Sequence, residues 1–457
     1  MTVQPHSGTQ RVVGHKSFQQ YIPSNSSAWD GLVKWLPTRD ENSSWWWKST
    51  GRQLATVLAD GGYELSQQYE ALLFHYQMVV PWLGARPTSV KPKWKSFMTD
   101  DFSPIEYSWK WAKDCKGPEV RYGVEPLSLH AGSALDPLNQ MPTRALLQQV
   151  RQVMPDDIDL TWFDHFLRSI FGGETTSPVP GQGTQNRSSL FLAFELVRNR
   201  IAVKAYFIPV ELPGGPSAAE QIAVAIQSAP EMNNMRAYDA IQIMESYLRD
   251  DPAGATLTPF MLGIDCVNPA ESRLKVYARS PRTSFEFVHN VMTLGGRRGV
   301  QGDFDDVAAQ FHDLWNLTLG LDPEVPADRD LPKHKHVTAG TCFYFDVGPQ
   351  STVPDVKAYI PVRHYACSDR QVALGLTRFL AKHGRAGYAR KYMQTVESLA
   401  VKPGAVDAAT GIQTYISCAY KGGYVCMTSY LSPQVYIPCG EQQTRSANHR
   451  RPLVDPG

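Results

Sequence analysis

Apolar residues recur along this chain in two rhythms, one of period 3.6 and one of period 2, and the two take turns. Leu54, Val57 and Leu58, then Tyr69, Leu72, Leu73, Tyr76, Val79 and Val80, fall at helical spacing on either side of Gly61 and Gly62, and Pro81 closes the run. A helix pair is predicted there. Ile105, Tyr107, Trp109 and Trp111 then alternate with Glu106, Ser108 and Lys110, and Val120, Tyr122 and Val124 alternate with Arg121, Gly123 and Glu125, which predicts two strands. The order returns. Helices near 141–153 and 157–171 precede strands near 190–197 and 201–209, and helices near 217–229 and 234–249 precede strands near 260–267 and 272–279. Two more cycles place helices near 283–294 and 303–319 before strands near 341–347 and 355–362, then helices near 369–383 and 386–399 before strands near 412–420 and 423–431.

Arg121, Lys204, Lys275, Lys357 and Thr428 mark the second strand of each unit, at separations of 83, 71, 82 and 71 residues. VKAYFIPV from Val203 is echoed by VKAYIPV from Val356. Five repeated units of two helices and a hairpin predict an α/β protein with ten, mostly antiparallel, strands and helices on one sheet face. Closure into a ten-stranded barrel surrounded by helices would leave room for a ligand chamber, because the interior widens with strand number. The stretch from Gly172 to Ser189 reads as a long loop within one unit. Residues 1–40 are expected to form a polar, partly mobile segment, 41–435 a single barrel domain and 436–457 a C-terminal tail.

Strand parity assigns the faces. Val203, Ala205 and Phe207 oppose Lys204 and Tyr206; Leu274, Val276 and Ala278 oppose Arg273, Lys275, Tyr277 and Arg279; Val356, Ala358 and Ile360 oppose Lys357 and Tyr359. A single lysine-x-tyrosine face is usually solvated. Three at a repeat interval, apolar faces turned to the helices, point to a lined chamber. Arg121 and Glu106 join it from the first hairpin, and Tyr424, Cys426, Thr428 and Tyr430 from the last.

Composition adds constraints. Of 457 residues, 45 are Lys or Arg and 44 are Asp or Glu, a net charge of +1, so no global basic footprint for nucleic acid or anionic lipid exists. No apolar stretch is long enough to span a membrane, and no apolar leader follows Met1, which predicts a cytoplasmic protein. Seven cysteines without a CxxC pair read as reduced thiols. A chamber holding several cations needs a polyanion, since unpaired buried cations cost several kcal/mol each. Tyrosines between the cations suit a second demand, because aromatic faces attract a carbocation and keep water from it. Both demands are met by an allylic diphosphate, whose leaving diphosphate the cations would hold.

At this point the residues resemble the fungal aromatic prenyltransferases of the dimethylallyltryptophan synthase family. The resemblance runs from about Trp45 to Tyr430, on WWWKSTG at 45, TDDFSPIEYSW at 99, RYGVEP at 121, VKAYFIP at 203, DCVNPAESRLKVY at 265, TLGGR at 293 and VKAYIPVRHY at 356. It implies the ten-stranded ABBA barrel and transfer of a dimethylallyl group from dimethylallyl diphosphate to an aromatic ring, usually the indole of tryptophan or of a tryptophan-containing cyclic dipeptide, in alkaloid biosynthesis. No cofactor or metal is expected. Glu106 matches the glutamate that takes the indole N–H. Arg121, Lys204, Arg273, Lys275 and Lys357 match diphosphate-binding positions, the last often Gln in relatives, and Tyr206, Tyr277, Tyr359 and Tyr430 match the shield around the cation.

Three departures narrow the expectation. Phe191 stands near the position of the lysine base of indole C4 alkylators, so a site other than C4 is expected. Phe260 replaces an arginine that would take the amino-acid carboxylate, which leaves a cyclic dipeptide or tyrosine open beside tryptophan. Cys426 replaces a shield tyrosine, with Tyr424 as substitute. Phe97, Met98, Phe191, Phe260, Tyr424 and Cys426 are the expected acceptor pocket. A non-catalytic barrel carrier of isoprenoid or aromatic ligands is the alternative, and a homodimer is compatible with either. His334 and His336 read as a solvated loop, the paired aspartates never form DDxxD, and the Trp45–Trp47 run reads as helix packing. Arg279 is divided evenly between a diphosphate contact and a strand end at the rim.

Overall fold

The computed structural model describes residues 27–436 apart from 89–91, 112–116, 173–187, 199, 233–235, 299–303, 403 and 422–423. The chain before residue 27, most of the loop between Gly172 and Ser189, the tail after residue 436, and Cys115 and Cys439 lie outside the described residues. Ten strands form one closed sheet: β1 Ile105–Trp111, β2 Glu119–Val124, β3 Leu190–Val197, β4 Arg200–Phe207, β5 Thr258–Asp265, β6 Leu274–Ser280, β7 Thr341–Val347, β8 Asp355–Ile360, β9 Gln413–Lys421 and β10 Tyr424–Leu431. Each strand pairs antiparallel with its neighbours in sequence, and β1 closes on β10 with Tyr107 opposite Leu431 and Trp111 opposite Met427.

Parity divides the barrel as the alternation predicts. Outward residues such as Ala205, Phe207, Val276, Ala278, Val356 and Ile360 are buried in the core between sheet and helices. Phe207 lies 5.7 Å from Phe163 and 5.9 Å from Phe166 of helix Thr161–Phe171, and Phe343 lies 6.1 Å from Phe287 of helix Phe285–Thr293. Burying such rings is worth about 1.5–3 kcal/mol each. A second, separate cluster of Phe191, Met261, Tyr277 and Tyr359 sits inside the barrel.

Within the N-terminal stretch expected to be polar, Ala28–Trp35 forms a helix with Ala28 and Leu32 buried. Its two apolar positions lie one turn apart, a signal too short for composition to show. The tryptophan run packs helices, as expected: Trp47 sits 4.8 Å from Trp29 and 5.1 Å from Tyr76. Gly51 is required there, because a Cβ would come within 2.5 Å of the Trp47 ring. The residue before it ties this layer to the barrel. Thr50 donates to the Trp46 carbonyl at 2.7 Å and faces His75 Nε2 at 2.9 Å, while its own carbonyl accepts from Tyr107 of β1 at 2.8 Å.

Candidate active site

The inward strand faces sort into three levels, and β6 reads them in order: Arg273 just before it, then Lys275, Tyr277 and Arg279. At one end, cations and carboxylates alternate. Arg121 pairs with Glu195 at 2.6 Å and Glu119 at 2.7 Å; Lys204 pairs with Glu195 at 3.1 Å and Asp265 at 2.7 Å; Lys275 pairs with Asp265 at 3.0 Å. Arg273, at the edge, bridges Asp265 at 2.7 Å and Asp346 at 3.4 Å, and Lys110 reaches Glu119 at 3.4 Å. Lys357 instead donates to Thr428 Oγ1 at 3.1 Å and lies 5.6 Å from the centre of the Tyr344 ring.

The expectation of a bare cationic chamber is corrected here: Glu119, Glu195, Asp265 and Asp346 interleave with the cations. Burying the cations without them would have cost too much. The surplus is still positive, with six cations against four carboxylates among the described residues. Burial pushes Glu195 up, but Arg121 and Lys204 outweigh it and hold the carboxyl at about 2. Lys275 is brought down to about 8 by burial and by Lys204 beside it, and Lys357 to about 8 by burial, with Arg121 and Lys110 adding to it.

A diphosphate held at the expected positions would bind best with these two lysines charged, so raising the pH through about 8 would remove their protons and weaken it. The expected result is an apparent KM for dimethylallyl diphosphate that rises above pH 8. Binding should also take up protons near that pH, read from calorimetry in buffers of different ionisation heat. A flat KM between pH 7 and 9.5 would contradict the assignment.

The middle level is a belt of tyrosines. Tyr206 lies 6.0 Å from Tyr277, Tyr277 6.3 Å from Tyr359, and Tyr359 5.5 Å from Tyr430, so the four predicted shield residues are contiguous. Tyr344 completes the belt, 5.1 Å from Tyr277 and 6.1 Å from Tyr359. It was not anticipated, although it alternates with outward Phe343 and Phe345 on β7 and parity marks it. The rings are close enough to offer several faces to one cation.

Beyond the belt, Glu106 of β1 is half-buried on the cavity wall, with its Oε1 accepting from Thr414 Oγ1 at 2.7 Å. Burial, together with the charge of Asp100, raises its carboxyl to about 8 against the Thr414 hydrogen bond. Ser108, one inward step along β1, is in register with both Tyr430 and Arg121. Glu106 is thus set about 7 Å along the strand from that level, at roughly 3.4 Å per residue. Phe191 stacks on Tyr206 at 4.5 Å, and Phe97 lies 6.3 Å from Phe191 and 6.2 Å from Phe260.

Two β-bulges build this end. On β5 the register shifts between Pro259 and Met261, and on the β9–β10 pair Ser429 faces Ile416 while Leu431 faces Gln413. Each inserts a residue that turns an extra side chain, so Phe260 and Met261 both reach the cavity, as do Thr414 and Tyr415. The loop carrying Phe97 and Met98 is fixed by buried Glu125, which accepts from Trp94 Nε1 at 2.7 Å and from Ser96 and Ser188, each at 2.6 Å. Ser188 in turn accepts from the Phe97 N–H at 2.8 Å.

The structure places Tyr424 and Cys426 elsewhere than the acceptor pocket. On β10 the residues before Tyr430 run toward the cation end; Cys426 opposes Ala419, which opposes Lys357, and its Sγ lies 3.7 Å from the Trp111 carbonyl. At the Glu106 end of the cavity Asp100, His336 and His364 come together within 4.8 Å, a grouping that could hold a cation, but Arg363 already faces Asp100. His334 and His336 are exposed, as a solvated loop predicts, and His336 Nδ1 lies 2.8 Å from Thr338 Oγ1 on the cavity wall.

A closed barrel with cations at one level, an aromatic belt above them and a half-buried carboxyl beyond it defines an aromatic prenyltransferase. Residues 42–395 match the family model described as tryptophan dimethylallyltransferase, and the chain belongs to that family. It is 36% identical over 439 residues to prenyltransferase fogH of Aspergillus ruber, covering 92% of this chain and 98% of that one. It is 33% identical to xanthone prenyltransferase A of Emericella nidulans, covering 88% and 95%, and 34% identical to 4-O-dimethylallyl-L-tyrosine synthase of Claviceps purpurea, covering 85% and 87%. The fold is that of AnaPT from Neosartorya fischeri, with a TM-score of 0.75 at 23% identity over 89% of this chain and 98% of that one.

Proposed function

We propose that this enzyme transfers a dimethylallyl group from dimethylallyl diphosphate to a ring carbon of a phenolic aromatic acceptor held at Glu106, without a metal ion. Glu106 carries the reading. A carboxyl raised to about 8 lies near the ordinary phenol value of about 10, the match that favours proton transfer as the ring attacks. Indole N–H is a far weaker acid and is served only as a hydrogen bond. Relatives named for xanthone and tyrosine at 33% and 34% identity support the same choice.

In this mechanism the C1–O bond of dimethylallyl diphosphate breaks and its electron pair leaves with the diphosphate, held by Arg121, Lys204, Lys275 and Lys357. The tyrosine belt surrounds the allyl cation. An electron pair of the ring forms the new C–C bond while Glu106 takes the O–H proton; loss of the ring C–H proton and return of the proton to oxygen restore the aromatic product. One proton and one diphosphate are released. Cations that bind the leaving group more strongly as its charge develops add to rate.

A second reading keeps the acceptor an indole, alkylated away from C4, because Phe191 occupies the place of a C4 base and the matched family is described for tryptophan. Soluble, cytoplasmic action as a monomer or homodimer fits both readings. The experiment is turnover of dimethylallyl diphosphate with naphthols, hydroxyxanthone, L-tyrosine, L-tryptophan and a tryptophan-containing cyclic dipeptide, with and without EDTA, followed by product mass. Higher kcat/KM with hydroxyaromatics, unchanged in EDTA, is expected. Preference for indoles would reject the phenolic reading, loss of turnover in EDTA the metal-free one, and binding without any product the enzyme itself in favour of a carrier.

A further inference from the structure

Arg279 stands on β6 two residues past Tyr277, on the wall of the cavity that Glu106 also lines. Its guanidinium lies 4.3 Å from the centre of the Phe260 ring and 5.4 Å from that of Phe97. Nη1 donates to the Val337 carbonyl at 3.0 Å, while Nε is buried with no hydrogen-bond partner. Among the described residues no carboxylate pairs with it, whereas Arg121, Lys204, Arg273 and Lys275 each face one. Cys342, opposite it in register, meets the guanidinium as a hydrogen-bonding thiol and not as an anion, since burial raises it to about 11 against the pull of Arg279.

The diphosphate is too far to be its ligand. Lys275 and Arg279 are four strand residues apart, roughly 13 Å, with the tyrosine belt between them. Nor is it only a rim residue, because the Phe260 and Phe97 rings, 6.2 Å apart, both lie against one side of the guanidinium and hold it on the wall of the acceptor space.

We propose that Arg279 is a specificity-determining residue that receives a second oxygen of the acceptor, a carboxylate or a carbonyl carried on the ring whose hydroxyl meets Glu106. The proposal deepens the phenolic reading and rests on it. A planar guanidinium whose Nε–H has no partner, beside Phe97 and Phe260, binds such an oxygen with a directional, charge-assisted hydrogen bond. The required cation comes from β6, across the ladder from Thr258, instead of from position 260 on β5.

The test is fluorescence titration with 2-naphthol, a hydroxynaphthaldehyde and a hydroxynaphthoate, in saturating inorganic diphosphate, on the wild type, Arg279→Met, Arg279→Lys and Glu106→Gln. The naphthoate or the aldehyde should bind the wild type about tenfold more tightly than naphthol, the size of one hydrogen bond to a charged group. That preference should vanish in Arg279→Met and survive in part in Arg279→Lys, with naphthol affinity within twofold of wild type in both Arg279 variants and weakened in Glu106→Gln. A preference for the naphthoate alone assigns a carboxylate; a preference for both assigns any carbonyl oxygen. Equal loss for all three probes, no preference in the wild type, or no binding of any probe overturns the proposal. Naphthol binding unchanged in Glu106→Gln would instead sink the phenolic reading while the Arg279 comparison still stands.

Discussion

Glu106→Gln is expected to lower turnover by at least about a hundredfold, the usual size of a lost general base, while affinity for dimethylallyl diphosphate stays within twofold. The separation follows from position: Glu106 lies beyond the tyrosine belt from the cations, and among the described residues its side chain is hydrogen-bonded to Thr414 and paired with none of those cations. The pH profile makes the result specific. A carboxyl raised to about 8 is protonated below that pH and cannot accept a proton, so turnover at saturating diphosphate should climb as pH rises through about 8. In the glutamine variant that climb should be gone. A variant that keeps both rate and slope would place the base elsewhere.

Lys204→Met should lose stability and diphosphate affinity together. Lys204 is 5% exposed and lies between Glu195 and Asp265, so removing it leaves two buried carboxylates short of a partner, at a cost of about 3–5 kcal/mol. Lys357→Met should behave differently. Among the described residues its ammonium pairs with no carboxylate and donates to the Thr428 hydroxyl, so the fold should keep its denaturation midpoint while KM for dimethylallyl diphosphate rises roughly tenfold or more. Chemical denaturation together with diphosphate titration of both variants checks the pair. Equal destabilisation by the two would show that the carboxylates do not depend on Lys204 as its contacts imply.

The barrel was legible because the second strand of each unit alternates cleanly: Lys204 and Tyr206, or Lys357 and Tyr359, could be assigned inward from parity alone. Clean alternation fails in three places, and each cost something. On β3 the run Leu190–Val197 is apolar on both faces, so nothing local marks Glu195 as the partner of Arg121 and Lys204. At the bulges in β5 and β9 the two-residue period breaks, and which of Phe260, Met261, Thr414 and Tyr415 turn inward is fixed by pairing across the ladder, a property of two strands at once. Tyr424 and Cys426 were misplaced because parity gives a residue's face and not its height along the barrel axis. Height follows from register, and register is settled only when Cys426 meets Ala419 and Ala419 meets Lys357.

Closure of the barrel by β1 and β10 sets the timing of folding during synthesis. Ile105 begins the first strand and Leu431 ends the last, so the opening hairpin must wait for more than three hundred residues before its free edge is satisfied. Until then it presents unpaired backbone groups and Tyr107, Trp109 and Trp111 from an unfinished wall, the kind of surface that recruits a second chain or a chaperone. The active cavity has no partial form, since Glu106 and its Thr414 donor come from opposite ends of that wait.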